Sequence, residues 1–157
     1  MRKRTLIQPW LLPGLAFLLL TLAACQQTQA QSHEAQATPV PLAIDCHLAY
    51  RSSVTVGIER EETVSFTASD ANETVSFPQL KFQAQYSAGQ ESWAERALRL
   101  SVTPAESSNE LTAQLYQLSK TDPLRNQFVG DHGFTGLHYV YHPTSGAELQ
   151  YWCIAKS

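Results

Sequence analysis

Glycine is scarce in this chain, seven residues in 157, and none of the seven sits in a phosphate-cradling loop or a GxSxG turn. That removes the usual sequence signs of nucleotide binding and of a serine-hydrolase nucleophile. Cysteine is scarcer still, three residues with no CxxC spacing, so neither a zinc ribbon nor a thioredoxin-like redox pair is indicated. Charge is thin at 16 % and scattered, without an acidic tail or a basic stripe. The one cluster of acids, "EREE" at 59–62, falls where a strand passes into a turn, the usual place for a solvated face. With no nucleophile beside an oriented base, the expectation is a protein that is not an enzyme. Beyond residue 24 there is also no long apolar run.

What is present begins at the N-terminus. Arg2, Lys3 and Arg4 precede "WLLPGLAFLLLTLAA" (10–24), which is short for a bilayer span and is interrupted by Pro13 and Gly14. It ends in Leu22-Ala23-Ala24-Cys25. The segment resembles the lipobox signal of bacterial lipoproteins: basic start, apolar middle, Leu, two small residues, Cys. The resemblance covers residues 1–25 and implies that 1–24 are removed and that Cys25 carries a diacylglyceryl group as the mature N-terminus. It implies a cell-envelope, extracytoplasmic protein held to the membrane by lipid. Gln26, where an Asp would favour the inner membrane, points to the outer membrane if the envelope is Gram-negative. The bland alternative is an ordinary secretory signal, or an uncleaved anchor, with Cys25 incidental. Two acyl chains give stable anchoring because each buried CH₂ contributes ~0.8 kcal/mol.

Without Arg2, Lys3 and Arg4, eight of the eleven Lys and Arg remain against fourteen Asp and Glu, net −6. A nucleic-acid partner needs a basic patch, so none is expected. Residues 25–41 hold the lipidated cysteine and then "QQTQAQSHEAQATPVP", five Gln and almost nothing apolar. Such a segment buries too little to offset its ordering entropy and is expected to be a tether of ~22 Å mean span. His33 lies within it and has no assigned role. The two cysteines left, Cys46 and Cys153, flank the remaining domain (42–157). In an oxidising compartment an even pair suggests a disulfide. Closing a loop of ~100 residues is worth ~4.7 kcal/mol in the chain-entropy model. Free thiols or a metal pair are the alternatives.

From Leu42 on, the hydrophobic period is two. Ile44, Cys46, Leu48 and Tyr50 alternate with polar or small neighbours, and Val54, Val56 and Ile58 repeat the pattern after "RSS". "ETVSF" occurs at 62–66 and again at 73–77, with "TASDAN" between, and a shared hairpin is the simplest expectation. Strands are expected at 79–87 and 96–104. Residues 107–120 fit two patterns: a capping box at Ser107 and Glu110 with a helical stripe of Leu111, Leu115 and Leu118, or a strand over 111–118. The β-rich surroundings favour the strand, pairing with 96–104 through "AESSN". Overall the spacing predicts an all-β, antiparallel sandwich or small barrel of about seven or eight strands, with one end-to-end disulfide.

The segment 133–153, "GFTGLHYVYHPTSGAELQYWC", is richest in aromatics. "PTSG" has turn chemistry, and a hairpin centred there pairs Val140 with Leu149, His138 with Tyr151, Tyr139 with Gln150 and Tyr141 with Glu148. Val140, Leu149, Tyr151 and Cys153 then face the core. Tyr139, Tyr141, Trp152 and Leu137, rimmed by Gln150 and Glu148, face outward. His138 and His142 stand ~13.6 Å apart along a strand, too far for one zinc ion with ~2 Å bonds. Asp131 and His132 lie in a Gly-flanked loop without a ligand set, so no metal and no cofactor is expected. The candidate binding residues are Tyr139, Tyr141, Trp152 and Gln150, because flat rings with polar tips stack on sugars or anchor proteins. The alternative for those rings is ordinary packing under another layer. The expected function is a binding or envelope-structural module for a glycan or protein. The alternative is an inhibitor or accessory subunit of an envelope enzyme or transporter. Small disulfide-tied lipoproteins that block lysozymes look similar in size, but their Ser-Gly-rich inhibitory loop is missing here.

Overall fold

The computed structural model describes residues 42–67, 69–89 and 95–156. The expected signal segment, Cys25 and the tether lie outside the described residues. Eight strands form: β1 (Ala43–Arg51), β2 (Arg60–Phe66), β3 (Ala71–Ser76), β4 (Leu80–Ser87), β5 (Arg96–Pro104), β6 (Thr112–Leu118), β7 (His138–Tyr141) and β8 (Glu148–Lys156). They make two antiparallel four-stranded sheets, in the orders β2-β1-β8-β7 and β3-β4-β5-β6. The first is the terminal sheet, made from the two ends of the domain, and the second is the middle sheet. The protein is an all-β sandwich.

One core lies between the sheets, and the period-two pattern explains it. Ile44, Cys46, Leu48 and Tyr50 of β1, Leu80, Phe82, Ala84 and Tyr86 of β4, and Leu98, Leu100 and Val102 of β5 are all buried in one cluster. Rings interlock across the gap, Phe82 with Tyr151 at 5.3 Å between centroids and Phe66 with Tyr86 at 5.7 Å. Burying each large apolar side chain contributes roughly 1.5–3 kcal/mol. Cys46 and Cys153 face each other across β1 and β8 and are bonded, a link spanning 107 residues.

Two expectations about strands are corrected. The "ETVSF" copies do not form a hairpin. β2 pairs with β1 (Phe66 opposite Ile44), whereas β3 pairs with β4 (Val75 opposite Phe82), so "TASDAN" carries the chain from one sheet to the other. Each copy still sends its Val and Phe inward, from opposite sides of the core. The alternation specifies which side chains go inside, and it leaves open which sheet receives them. Val54, Val56 and Ile58 are not a strand either; they are exposed on the loop between β1 and β2. Arg51 holds that loop by donating through Nη1 to the Val54 and Val56 carbonyls (3.3 and 3.4 Å), and the Ser52 amide donates to Glu59. The ambiguous segment resolves as strand β6, paired with β5.

The long crossing from β6 to β7 lies along the second half of β8, beyond the reach of the four-residue β7. Asn126 mimics a strand there: its Nδ2 donates to the Ala155 carbonyl and its Oδ1 accepts the Ala155 amide, both at 2.8 Å. The Phe134 amide donates to the Cys153 carbonyl, and the Cys153 amide donates to Thr135 Oγ1. Gly133, at φ 64°, permits this approach, because a Cβ there would sit 2.0 Å from the Cys153 carbonyl oxygen.

Candidate functional site

The terminal hairpin has the register its sequence predicts, His138 with Tyr151, Tyr139 with Gln150, Val140 with Leu149 and Tyr141 with Glu148. "PTSG" closes the turn, the His142 amide donating to the Ala147 carbonyl. Val140, Leu149, Tyr151 and Cys153 are buried, so the opposite side of the hairpin faces outward. Tyr139 and Tyr141 are 50 % and 52 % exposed on β7, an edge strand. Trp152, Gln150 and Leu137 are half-buried. The structure thus brings all four candidates, Tyr139, Tyr141, Trp152 and Gln150, onto one face.

Two further residues belong to this face. β1 places His47 opposite Trp152, and the rings stack at 5.3 Å. His132 meets the same indole edge-on at 5.5 Å. His132 Nδ1 lies 3.0 Å from the Val129 carbonyl. A carbonyl only accepts, so Nδ1 carries the proton and Nε2 of the neutral ring is left as an acceptor. The His47 contact was legible once Cys46 is paired with Cys153, since the next residue of β1 must face the preceding residue of β8. The His132 contact depends on the loop fold around Gly133 and has no local signal.

The largest departure is Glu148. The hairpin pattern places it on the rim, yet it is fully buried beneath the outer face. It accepts Arg51 Nη2 on Oε2 at 2.7 Å and Gln150 Nε2 on Oε1 at 2.6 Å. Burial pushes its carboxyl up, but hydrogen bonds from Arg51, Gln150 and Tyr141 together outweigh this and hold it below the usual carboxylate range. The Tyr141 phenol is raised, first by desolvation and then by its hydrogen bond to Glu148. A buried carboxylate therefore underlies Gln150 and Tyr141 and ties both to Arg51.

Elsewhere the histidines are accounted for by structure. His138 stacks on Tyr151 at 4.9 Å, and its Nε2 lies 3.0 Å from the Thr135 carbonyl, which it must donate to. His142 is buried at the turn; its Nδ1 accepts the Ser145 amide at 3.2 Å and its Nε2 faces Glu106 at 3.1 Å. Burial pushes the Tyr151 phenol up to about 12, so it stays a donor, bonded to Gln114. Among the described residues no group of three or more His, Cys, Asp or Glu is arranged to hold a metal ion. A cleft of about 320 Å³ opens beside β7 toward β6, lined by Leu111, Gln114, Tyr139, Tyr141 and Tyr151.

No protein-family model matches this chain, and no curated protein or solved structure matches it.

Proposed function

We propose that the protein is a lipid-anchored, extracytoplasmic recognition module of the bacterial cell envelope that binds glycan on the outer face of its terminal sheet. The observation that carries this reading is the pairing of two half-exposed tyrosines with Trp152 and Gln150 on one flat strand surface. Rings of this kind present apolar area to a sugar face while their polar tips take its hydroxyls. Leu22-Ala23-Ala24-Cys25 supports the lipid anchor, and a disulfide between the first and last strands suits an oxidising compartment. The test is retention of the folded domain on purified cell-wall glycan. Wild type is expected to be retained, and the Tyr139→Ala/Tyr141→Ala variant to elute early while still unfolding in one cooperative transition. Equal retention of the two proteins counts against the reading.

A second reading, an inhibitor or accessory subunit of an envelope enzyme or transporter, draws on the loop at 52–58. Val54, Val56 and Ile58 are exposed there on backbone that Arg51 holds in place. A braced loop with aliphatic tips suits insertion into a protein groove. Recovery from membrane extracts of a stoichiometric protein partner that Val56→Asp releases favours this reading over the first.

A further inference from the structure

We infer that Glu148 is a positioning residue that makes the aromatic face a set of hydrogen-bond acceptors, selecting neutral, hydroxyl-rich glycan over anionic glycan. The inference rests on the glycan-binding reading and deepens it. Its starting point is the burial of a carboxylate on what the strand pattern makes the solvent side of the sheet.

Glu148 has only acceptors to offer, so every group that touches it must spend a donor inward. Gln150 spends an Nε2 hydrogen on Oε1 at 2.6 Å, which turns its carbonyl oxygen away from the carboxylate. Tyr141 stands opposite Glu148 in the strand ladder, placed to turn its hydroxyl hydrogen toward the same carboxylate and leave the lone pairs of its oxygen. Arg51 is turned inward too, with Nη2 on Glu148 and Nη1 on the loop carbonyls of Val54 and Val56. The Arg51 guanidinium is thereby withdrawn from an anion above it. At the far end of the platform His132 contributes a third acceptor, Nε2, because its Nδ1 proton goes to the Val129 carbonyl. From the Tyr141 row to the Trp152 row is four residues of β8, ~13.6 Å, long enough for more than one sugar ring.

A ligand for such a face brings donors and a flat apolar side. Sugar hydroxyls do both. Sulfate, phosphate and carboxylate bring only acceptors and meet a carboxylate, the lone pairs of Gln150, Tyr141 and His132 and a domain of net −5. Ammonium groups bring donors, which these acceptors do not exclude.

The test uses three hexasaccharide probes in solution: N-acetylglucosamine hexamer, its sulfated derivative, and the cationic glucosamine hexamer. Affinities are read by NMR titration of the folded domain. Wild type is expected to prefer the neutral hexamer over the sulfated one by roughly tenfold or more, and to bind the cationic one no more weakly than the sulfated one. In Glu148→Gln, the carboxamide oxygen stays on Arg51 and its NH₂ faces Gln150. The Gln150 carboxamide must then rotate to accept and present its own NH₂ outward. The preference for neutral over sulfated hexamer is expected to collapse toward unity, a change in selectivity that loss of packing alone does not produce. Tyr141→Phe, at an exposed position, keeps the ring and is expected to weaken neutral binding about threefold, with a small drop in melting temperature from the lost contact with Glu148. This second variant keeps the test decisive if Glu148→Gln fails to fold. Equal binding of neutral and sulfated hexamers by wild type, or an undisturbed preference in both variants, overturns the inference while leaving glycan recognition standing. Absence of binding to all three probes overturns the recognition reading itself.

Discussion

The two outer faces of the sandwich were built under the same constraint and carry different residues. On the middle sheet, the outward positions of β3 and β4 are Asn72, Thr74, Ser76, Lys81, Gln83, Gln85 and Ser87, with Arg99 on β5. Arg99 forms an exposed ion pair with Glu110 at 2.7 Å. These are side chains that a solvated sheet needs for nothing more than water. On the terminal sheet the same kind of position holds Tyr139, Tyr141, Trp152 and His47 over a buried Glu148. Since the polar face satisfies the fold equally well, the fold does not require the rings. Their presence on one side alone is the strongest sign that this side has work beyond packing.

The contrast can be tested at several strengths. The largest effect is expected from the disulfide, which fastens only the terminal sheet. Replacing Cys46 and Cys153 by Ala should lower unfolding stability by about 4–5 kcal/mol, measured by urea titration under non-reducing conditions. A loss below about 1 kcal/mol, well short of the chain-entropy value, would show that the ordered ladder between β1 and β8 already does the constraining. Next, Tyr139→Ala/Tyr141→Ala should weaken glycan binding about tenfold for each ring. Gln83→Ala/Gln85→Ala on the middle sheet should leave it unchanged. Equal losses on both faces would dissolve the contrast.

A smaller effect is expected in acid. Asp45 and Glu148, both on the terminal sheet, have folded pKa values below their unfolded ones. For Asp45 burial raises the carboxyl, but hydrogen bonds from Lys156 and Ser65 outweigh it. For Glu148 the bonds from Arg51, Gln150 and Tyr141 do the same. The stability these groups contribute is present above the unfolded carboxylate range, about pH 4, and is lost as pH falls through the folded values. The fall in melting temperature between about pH 5 and pH 3 should therefore flatten in Asp45→Asn and in Glu148→Gln. Glu110→Gln should flatten it less; that carboxyl is also held low, first by its hydrogen bond from Arg99, but the pair is exposed. The smallest effect is predicted for Leu115→Gln, an outward residue of β6, within about 0.5 kcal/mol by the same urea titration.

Much of this architecture was legible in the sequence because the period of two is local. Ile44 to Tyr50, Leu80 to Tyr86 and Leu98 to Val102 each announce an inner side, and "PTSG" pins the register of the last hairpin residue by residue. The disulfide was legible from the even pair of cysteines in the β-rich region. Sheet membership was not, because "ETVSF" has the same pattern in either sheet, and the choice is made by partners tens of residues away. The loop at 52–58 was misread for a related reason. Val54, Val56 and Ile58 alternate as a strand would, but Arg51 hydrogen-bonds the loop carbonyls and β2 begins only at Arg60. In the site, the rings were visible and their foundation was not. Glu148 sits at an outward position of β8, and nothing short of the Arg51 register opposite it indicates that the position is closed to water.

The pairing of the first strand with the last has a mechanical consequence. In the proposed role, anchored ahead of Ala43 and gripped through β7 and β8, the domain would carry any tug between those two points across the junction of β8 with β1. Amide hydrogen bonds alone could unzip there one after another. The sulfur–sulfur bond at Cys46 and Cys153 is a rivet in that seam, so the load runs through covalent chain from the gripped hairpin to the anchor.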